Sequence, residues 1–153
     1  MEIALYQPEI AQNAGTLIRL SACLAAKIHI IEPCGFIMND RKMKRSGMDY
    51  LEKVEISHHR NYQFFMEATK SQRKILLSPR APYAYTDFLF EANDILLCGR
   101  ESDGVPEDVR GSCDQAVFIP MVSDCRSLNV AVAAAMVLGE ALRQTKLFPG
   151  GHR

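Results

Sequence analysis

The sequence has no long apolar run, no surplus of charge of either sign and no paired cysteine motif, and each absence excludes a class of protein. Its 153 residues contain 18 Lys or Arg and 18 Asp or Glu, so the formal net charge is zero. A neutral chain does not coat nucleic acid through bulk charge, although it is compatible with a local basic patch. No apolar run approaches the roughly 20 residues of a membrane-spanning helix, so we expect no membrane contact.

The cysteine pattern and the first residues argue against a secreted protein. The five cysteines, an odd number, include no C-x-x-C pair, so we expect neither a disulfide framework nor a zinc site. A strand-like segment, residues 3–6, follows Met1 at once, in place of a cationic leader with an apolar centre. We therefore expect a cytoplasmic protein, and its length predicts a single domain over residues 1–153 with a core of its own.

Short apolar runs alternate with helix-like segments along the chain. Several of these runs are almost continuously hydrophobic, which is typical of parallel strands covered on both faces. Helical spacing of apolar residues follows the first run and recurs over residues 61–70. This alternation predicts an α/β domain with a parallel sheet. The candidate strands are residues 3–6, 28–31, 54–56, 75–77, 95–98 and 117–119.

The predicted last helix, residues 129–142, is apolar almost all round. Its only polar side chains are Asn129 and Glu140. A helix of this kind must be buried on nearly every side, and one sheet covers only one face. Either a second subunit packs against the helix, or it is the central core helix of a monomer. We favour the first explanation and predict a homodimer through residues 129–142.

Polar loops that follow two of the apolar runs indicate one ligand site. Ligands of open α/β sheets bind beyond the carboxyl ends of the strands, where such loops meet. The loop after residues 95–98 matches neither the phosphate-binding nor the dinucleotide-binding glycine pattern. Its Glu101 and Asp103 would repel a polyphosphate, so a ligand without phosphates, or a cationic one, fits better. The loop after residues 117–119 leads to Ser127, Leu128 and Asn129, which supply capping groups for the last helix.

The first helix and a basic cluster add further candidates. Asn13 is placed to act as an N-cap, and Gly15 suggests a close approach of backbone or ligand. The planar fork of Arg19 suits a phosphate or carboxylate, although a surface ion pair is the alternative. Four cations lie within five residues, and they form either a solvated surface segment or contacts to a phosphate backbone. These four are Arg41, Lys42, Lys44 and Arg45.

Three motifs stand out in this order along the chain. They are Asn13-x-Gly15-x-x-x-Arg19, Gly99-Arg100-Glu101-x-x-Gly104-Val105-Pro106, and Ile119-Pro120-Met121 followed by Ser127-Leu128-Asn129. Together they resemble the three signature motifs of the SPOUT methyltransferases. Within that superfamily the chain is similar to the small tRNA (cytidine/uridine-34)-2′-O-methyltransferases, with further matching segments at 5–10, 29–36 and 47–50. The resemblance spans essentially the whole chain.

The resemblance implies a parallel α/β fold whose C-terminal segment passes through a loop to form a deep trefoil knot, a topology that is very rare. It also implies S-adenosylmethionine as the methyl donor, no metal ion, and an obligate dimer. The family's cofactor contacts correspond to strand ends and loops of this chain. They fall on Leu77, Gly99, Ile119 and Ser127, with Met121 and Leu128 nearby.

The implied reaction methylates the ribose 2′-hydroxyl of the wobble nucleotide of tRNA, with leucine isoacceptors as the usual substrates. The implied catalytic residues are Arg19, Asn13, Glu101 and Asn129. A guanidinium resists deprotonation, so we expect Arg19 to fix the ribose and stabilise the developing alkoxide, while another group or water takes the proton. Glu101 is expected to order its loop or approach the sulfonium, and Asn129 to cap the last helix. The basic cluster at 41–45 is expected to hold the anticodon stem-loop.

Other functions stay open beside this one. They are 2′-O-methylation of another tRNA position or of ribosomal RNA, a non-catalytic RNA-binding module, and a metabolic nucleotide-binding enzyme. Where some relatives carry a tyrosine in the last helix this chain has Gly139, so no role is assigned there. Cys34 and Cys125 have no assigned role, and His58-His59 is expected to lie in a surface loop.

Overall fold

The computed structural model describes residues 1–37 and 53–150 of the chain. Strands and helices alternate along the described residues, as the sequence predicts. The elements are β1 (Glu2–Tyr6), α1 (Ala11–Leu24), β2 (Lys27–Ile31), β3 (Ile56–His59), α2 (Tyr62–Ala68), β4 (Lys74–Leu77), β5 (Tyr83–Ala84), β6 (Ile95–Cys98), α3 (Glu107–Gly111), β7 (Gln115–Phe118) and α4 (Val130–Thr145).

The strands of the described residues form one sheet in the order β3-β2-β1-β6-β4-β7-β5. Every recorded strand pairing is parallel, which confirms the predicted fold class. Because the strands are parallel, their carboxyl ends all lie at one edge of the sheet. The loops after β1, β4, β6 and β7 therefore meet there. The trefoil knot implied by the resemblance stays a prediction.

Helices cover both faces of the sheet and form two apolar cores. On one face α1 packs against α4, and Leu17 and Leu138 belong to the same buried cluster as Ile3 and Leu96. On the other face Phe65 of α2 is fully buried beside strand residues of β1, β2 and β6. Burial on both faces explains why the central strands are almost continuously hydrophobic.

Two strand predictions need correction. The third strand begins at Ile56, not at residue 54, and it includes both His58 and His59. The surface loop predicted for these two histidines is therefore wrong. His59 is only 8% exposed, and its Nε2 lies 2.8 Å from Nδ1 of the buried His29. A polar residue is tolerated in this strand because it has a buried polar partner.

The second correction concerns β5, which the apolar pattern does not reveal. It contains only Tyr83 and Ala84, at the edge of the sheet beside β7. Two residues are too few to show a strand periodicity, so hydrophobic patterning could not have found them.

The last helix is longer than predicted and only partly covered. It extends to Thr145 instead of residue 142, and it ends at Lys146 in a left-handed conformation. One side is fully buried, with Val137 and Leu138 both at 0% exposure, but Val132 is 50% exposed and Met136 39% exposed. The described part of the chain therefore leaves an apolar face of α4 open to solvent. None of the helices in residues 1–37 and 53–150 combines the length and apolar character of a membrane span.

Candidate functional site

A cavity of about 560 Å³ lies at the carboxyl edge of the sheet. Its walls come from the ends of β4, β6 and β7, from the loop after β6, and from the first turns of α1 and α4. The sequence-predicted cofactor residues all line this cavity, although they are spread over some fifty residues of the chain. They are Leu77, Gly99, Ile119, Met121, Ser127 and Leu128. That they bind a cofactor stays a prediction.

The cavity is lined by both apolar and polar side chains. Leu76 and Val117 line it from the sheet, and Val130 and Val137 line it from α4. The polar lining includes Ser78 and several arginines and carboxylates, many of them from the loop after β6 and from α3. Such a mixed lining suits a ligand that has a flat apolar part and a charged part.

The loop after β6 is closed on itself. The Arg100 N–H donates to the Gly104 carbonyl at 2.8 Å, and the Gly104 N–H donates to the Arg100 carbonyl at 3.1 Å. Gly104 has a φ of +72°, in the left-handed region that favours glycine. A Cβ on Gly99 would lie 2.6 Å from the carbonyl carbon of Gly104. Both glycines are therefore required by the geometry of the loop.

Three polar side chains tie this loop to the starts of α1 and α4. The Glu101 carboxylate accepts from the Asn13 Nδ2 at 3.0 Å and from the Glu9 backbone N–H at 2.9 Å. Asn13 Oδ1 accepts from Asn129 Nδ2 at 2.9 Å. Asn129 Oδ1 in turn accepts from the Ala131 N–H at 2.8 Å, which caps α4. We name Glu101, Asn13 and Asn129 the amide relay.

The direction of every hydrogen bond in the amide relay is determined by the groups at the two ends of the relay, which are the Glu101 carboxylate and the backbone N–H groups at the start of α4. A carboxylate can only accept, so Asn13 must turn its Nδ2 toward Glu101 and its Oδ1 toward Asn129. A backbone N–H can only donate, so Asn129 must turn its Oδ1 toward the α4 terminus and its Nδ2 toward Asn13. Both requirements give the same orientation of the two amides. The relay therefore holds three segments distant in sequence in one arrangement.

A second contact supports the same loop. The Glu9 carboxylate accepts from the Ser102 N–H and from the Ser102 hydroxyl, each at 2.9 Å. The backbone N–H of Glu9 donates to Glu101, so residues 9 and 101–102 hold each other from both sides. The chain after β2 joins this assembly, because the Gly35 N–H donates to the Pro8 carbonyl at 2.9 Å.

The predicted catalytic residues have mixed outcomes. The prediction of Asn13 as an N-cap is wrong, because α1 begins at Ala11 after Ile10 and Asn13 lies inside the first turn. Its side chain bonds to Glu101 instead, since a carboxylate is a stronger acceptor partner than water. The predicted cap by Asn129 is confirmed, and Glu101 does order its own loop. The positions of Arg41, Lys42, Lys44 and Arg45 lie outside the described residues.

Arg19 does not join the other predicted catalytic residues. It lies on the exposed side of α1 and is not among the residues that line the cavity. The buried positions of α1 include Ala14, Leu17, Ile18 and Ser21, so Arg19 projects from the opposite side of the helix.

Ser78 and Arg110 line the cavity but were not singled out from the sequence. Ser78 follows β4 directly, as Gly99 follows β6, and this position after a parallel strand is the signal that could have found it. Arg110 lies in the short helix α3, whose only buried residue is Val109. No sequence pattern distinguishes Arg110 from other surface arginines.

Cys98, which lines the cavity, does not supply a reactive thiolate. All five are free, and Cys98 at the cavity wall is buried. Burial, with a smaller contribution from Glu101, raises the pKa of Cys98 to about 12. Burial and the nearby Glu32 raise the pKa of Cys34 to about 11. Both thiols are therefore protonated at neutral pH and poor nucleophiles.

Comparison with known proteins agrees with the motifs. The SpoU rRNA Methylase family matches residues 1–139. A tRNA (cytidine(34)-2′-O)-methyltransferase from Beijerinckia indica is 56% identical over 144 residues, which is 93% of this chain and 90% of that protein. The protein of the same name from Escherichia coli strain K12 is 38% identical over 152 residues, covering 98% and 96% of the two chains.

Solved structures show the same relationship. A structure that describes 2-OH methylation of C/U34 on tRNA is 40% identical with a TM-score of 0.89, and 94% of each chain is covered. The SpoU methyltransferase AviRb from Streptomyces viridochromogenes, in complex with AdoMet, is 26% identical with a TM-score of 0.86. That match covers 94% of this chain and 60% of AviRb. These similarities extend over the whole sheet and all three motif loops, and the chain belongs to the SpoU methylase family of the SPOUT superfamily.

Proposed function

We propose that this protein transfers a methyl group from S-adenosylmethionine to the ribose 2′-hydroxyl of the wobble nucleotide, cytidine or modified uridine, in tRNA. The observation that carries the proposal is the cavity at the carboxyl edge of the sheet, where the three motif loops meet. Near full-length similarity to tRNA (cytidine(34)-2′-O)-methyltransferases supports the same substrate and reaction. By resemblance, leucine isoacceptors are the proposed tRNAs, and the cytoplasm is the proposed location of the reaction.

The residues of the cavity fit S-adenosylmethionine. Leu77, Ile119 and Leu128 give an apolar surface for a flat adenine, and Gly99 allows a ligand to approach the backbone. The volume of about 560 Å³ is within the range of pockets that hold small molecules. When bound, this donor supplies a methyl group already activated on a sulfonium. The protein must then orient the two reactants and assist loss of a proton from a weak nucleophile.

The amide relay has a positioning role in this proposal. Both carboxylate oxygens of Glu101 already accept hydrogen bonds, from Asn13 and from the Glu9 backbone. Asn129 is likewise occupied by the α4 terminus and by Asn13. These residues hold the loop and the two helix starts at the cavity, so another group or water takes the proton of the ribose hydroxyl.

The proposed dimer would complete the site. Arg19 projects from the exposed side of α1 and does not line the cavity of its own chain. The open apolar face of α4, with Val132 and Met136, adjoins α1, because the two helices pack together and are joined at their starts by Asn129 and Asn13. A second copy packed on this face would cover the apolar side chains and bring its α1 close to the cavity. We therefore propose a homodimer through α4 in which Arg19 of the partner subunit fixes the ribose.

The basic cluster at 41–45 is proposed to hold the anticodon stem-loop. The described chain that leads toward it passes beside the site, since Gly35 bonds to Pro8 next to Glu9. Phosphate contacts from lysine and arginine release counterions, so neutralising the cluster should weaken tRNA binding and flatten its salt dependence. Binding with an unchanged affinity and salt slope would remove the cluster from the interface.

The direct test of the function is nucleoside analysis of tRNA. We expect tRNA from a strain without the gene to lack a 2′-O-methylated nucleoside at the wobble position, and purified protein with S-adenosylmethionine to restore it. Mass spectrometry of nucleosides and of anticodon-loop fragments measures this. Restoration of a methyl group in ribosomal RNA, or at another tRNA position, would contradict the substrate assignment, and no lost nucleoside would contradict the enzymatic one.

The dimer and Arg19 are tested by separate variants. Met136→Glu places a charge on the open face of α4, so light scattering should show a monomer where the wild type is a dimer. A wild-type protein that is already monomeric would refute the interface. Arg19→Lys keeps the charge but removes the planar fork. We expect it to lower methyl transfer while leaving binding of the donor intact, and near-full turnover would show that the fork is not needed.

A further inference from the structure

The lining of the cavity contains a buried hydroxyl whose hydrogen has no acceptor among the described residues. Ser78 is 9% exposed and lines the cavity at the end of β4. Its Oγ accepts from the Arg110 guanidinium at 3.1 Å and from the Arg80 backbone N–H at 3.3 Å. A hydroxyl has two acceptor positions and one donor hydrogen. Both acceptor positions are therefore used, and among the described residues no acceptor receives the Ser78 O–H.

The Arg110 guanidinium next to this hydroxyl also has donors to spare. One Nη donates to Ser78, which holds the planar group against the cavity wall. Arg110 forms an ion pair with Glu107, whose oxygen lies 3.8 Å from the Arg110 Nε and whose side chain is 92% exposed. Such a long and solvated ion pair satisfies little of the charge. Most of the five N–H groups of a guanidinium thus remain for a ligand.

Other charged groups also line the cavity. The buried Arg100 Nε lies 3.1 Å from an Asp103 oxygen without a hydrogen bond, and the Arg100 guanidinium lies over the Tyr6 ring at 5.8 Å. Arg80 is exposed, and Glu101 is held within the amide relay. The Ser78 hydroxyl and the Arg110 guanidinium are bonded to each other, and they are a pair of adjacent hydrogen-bond donors on the cavity wall that lack an acceptor of matching strength among the described residues. We name them the Ser78–Arg110 pair.

We propose that the Ser78–Arg110 pair binds a carboxylate, and that this is the carboxylate of the methionyl arm of S-adenosylmethionine. The inference rests on the proposed function, because it takes the methyl donor as the ligand of the cavity. A planar carboxylate can accept two hydrogen bonds from a guanidinium and a third from the hydroxyl. The pair lines the same cavity as the apolar residues that suit the adenine, so both ends of S-adenosylmethionine are held there. Arg110 is then a specificity residue that favours a methyl donor with an intact carboxylate.

The test compares two ligands that differ only in this group. Isothermal titration calorimetry measures Kd for S-adenosylmethionine and for its decarboxylated derivative, with the full-length wild-type protein and with Arg110→Ala. We expect the wild type to prefer the carboxylate-bearing donor by about 10- to 100-fold, the range for hydrogen bonds to a charged group. Arg110→Ala should bring the ratio of the two Kd values to within about threefold, because it weakens binding of the first ligand and leaves the second unchanged.

Two more variants keep the result interpretable. Ser78→Ala removes the free hydroxyl hydrogen and should reduce the ratio by a smaller factor than Arg110→Ala. Arg60→Ala makes the same change of charge at an exposed position outside the cavity lining, and it should keep the wild-type ratio. Circular dichroism and thermal unfolding establish that each variant is folded before it is titrated.

The outcomes separate this inference from the proposed function. If Arg110→Ala keeps the wild-type ratio, or weakens both ligands equally, the carboxylate is not held by Arg110 and the inference is overturned. A wild type that binds both ligands with the same affinity overturns it as well. If the wild type binds neither ligand, the methyl donor itself is wrong, and the proposed function fails together with the inference.

Discussion

The amide relay makes a sharp prediction about a nearly isosteric change, Glu101→Gln. Glutamine keeps the shape of the side chain but offers one acceptor and one NH₂ donor where the carboxylate has two acceptors. In either orientation its NH₂ faces another donor, the Glu9 N–H or the Asn13 Nδ2. Turning the Asn13 amide moves the mismatch to Asn129, and turning Asn129 moves it to the α4 N–H groups. A mismatch of donors therefore persists somewhere in the relay.

The size of the effect follows from the burial of the relay. Hydrogen bonds to a charged group contribute about 1.5–3 kcal/mol when a partner is lost. Glu101 and Asn13 are half-buried and Asn129 is exposed, so water replaces part of the loss and the lower end applies, about 1.5 kcal/mol. One kcal/mol shifts the Tm of a domain of this size by about 2–4 °C. Glu101→Gln should therefore lower the Tm by about 3–6 °C.

A second substitution should restore the stability. In the double variant Glu101→Gln with Asn13→Asp, the new aspartate accepts from both the glutamine NH₂ and the Asn129 Nδ2. The glutamine oxygen then accepts from the Glu9 N–H, so every donor again meets an acceptor. Asn13→Asp alone should be destabilising, because it places a second carboxylate about 3 Å from that of Glu101.

Differential scanning calorimetry of the four proteins at one fixed concentration measures this cycle. Concentration is fixed because association would shift the Tm by mass action. The expected pattern is a lower Tm for each single variant and a Tm near the wild-type value for the double variant. The reasoning is refuted if Glu101→Gln melts with the wild type, or if the double variant is no more stable than the weaker single variant.

Two further predictions concern the loop glycines and a buried histidine. Gly99→Ala should weaken binding of S-adenosylmethionine more than tenfold, because its Cβ would lie 2.6 Å from the Gly104 backbone. Gly111→Ala is the control and should be neutral in the same titration, because its Cβ would have no neighbouring atom within 4 Å. Burial, and then the charge of His29, lowers the pKa of His59 below its ordinary 6.5. The unfolded chain therefore binds this proton more readily, so the free energy of unfolding should fall as the pH drops below about 6.5. His59→Gln should flatten that pH dependence in denaturant unfolding, and an unchanged slope would exclude His59 as its source.

Hydrophobic patterning predicts the sheet because strands that are buried on both faces are almost continuously hydrophobic in sequence. Residues 95–98 coincide with β6, and the strands predicted at 3–6, 28–31, 75–77 and 117–119 overlap β1, β2, β4 and β7. The same patterning fails where strand residues are polar or few, as for His59 and for the two residues of β5. Buried polar contacts between distant segments produce no local pattern of this kind in the sequence.

The predictions for the site divide in the same way, between those that rest on local sequence and those that depend on contacts between distant segments. The cofactor residues are predicted from the resemblance to the SPOUT methyltransferases, and the fold brings all of them to one cavity. The pairing of Asn13 with Glu101 is not predicted, since the two residues are 88 positions apart and each has an ordinary local explanation. Local sequence predicts Asn13 as an N-cap, but in the fold its side chain bonds to Glu101 from inside the first turn of α1. Arg110 was missed for the same reason, because its bond to Ser78 spans 32 positions of the chain.

The central claim is that three loops distant in sequence form one cavity that binds the methyl donor. The most direct measurement is a calorimetric titration of the purified, folded protein with S-adenosylmethionine. We expect saturable binding with one molecule per chain. The absence of any measurable heat of binding at donor concentrations up to the millimolar range would contradict the account.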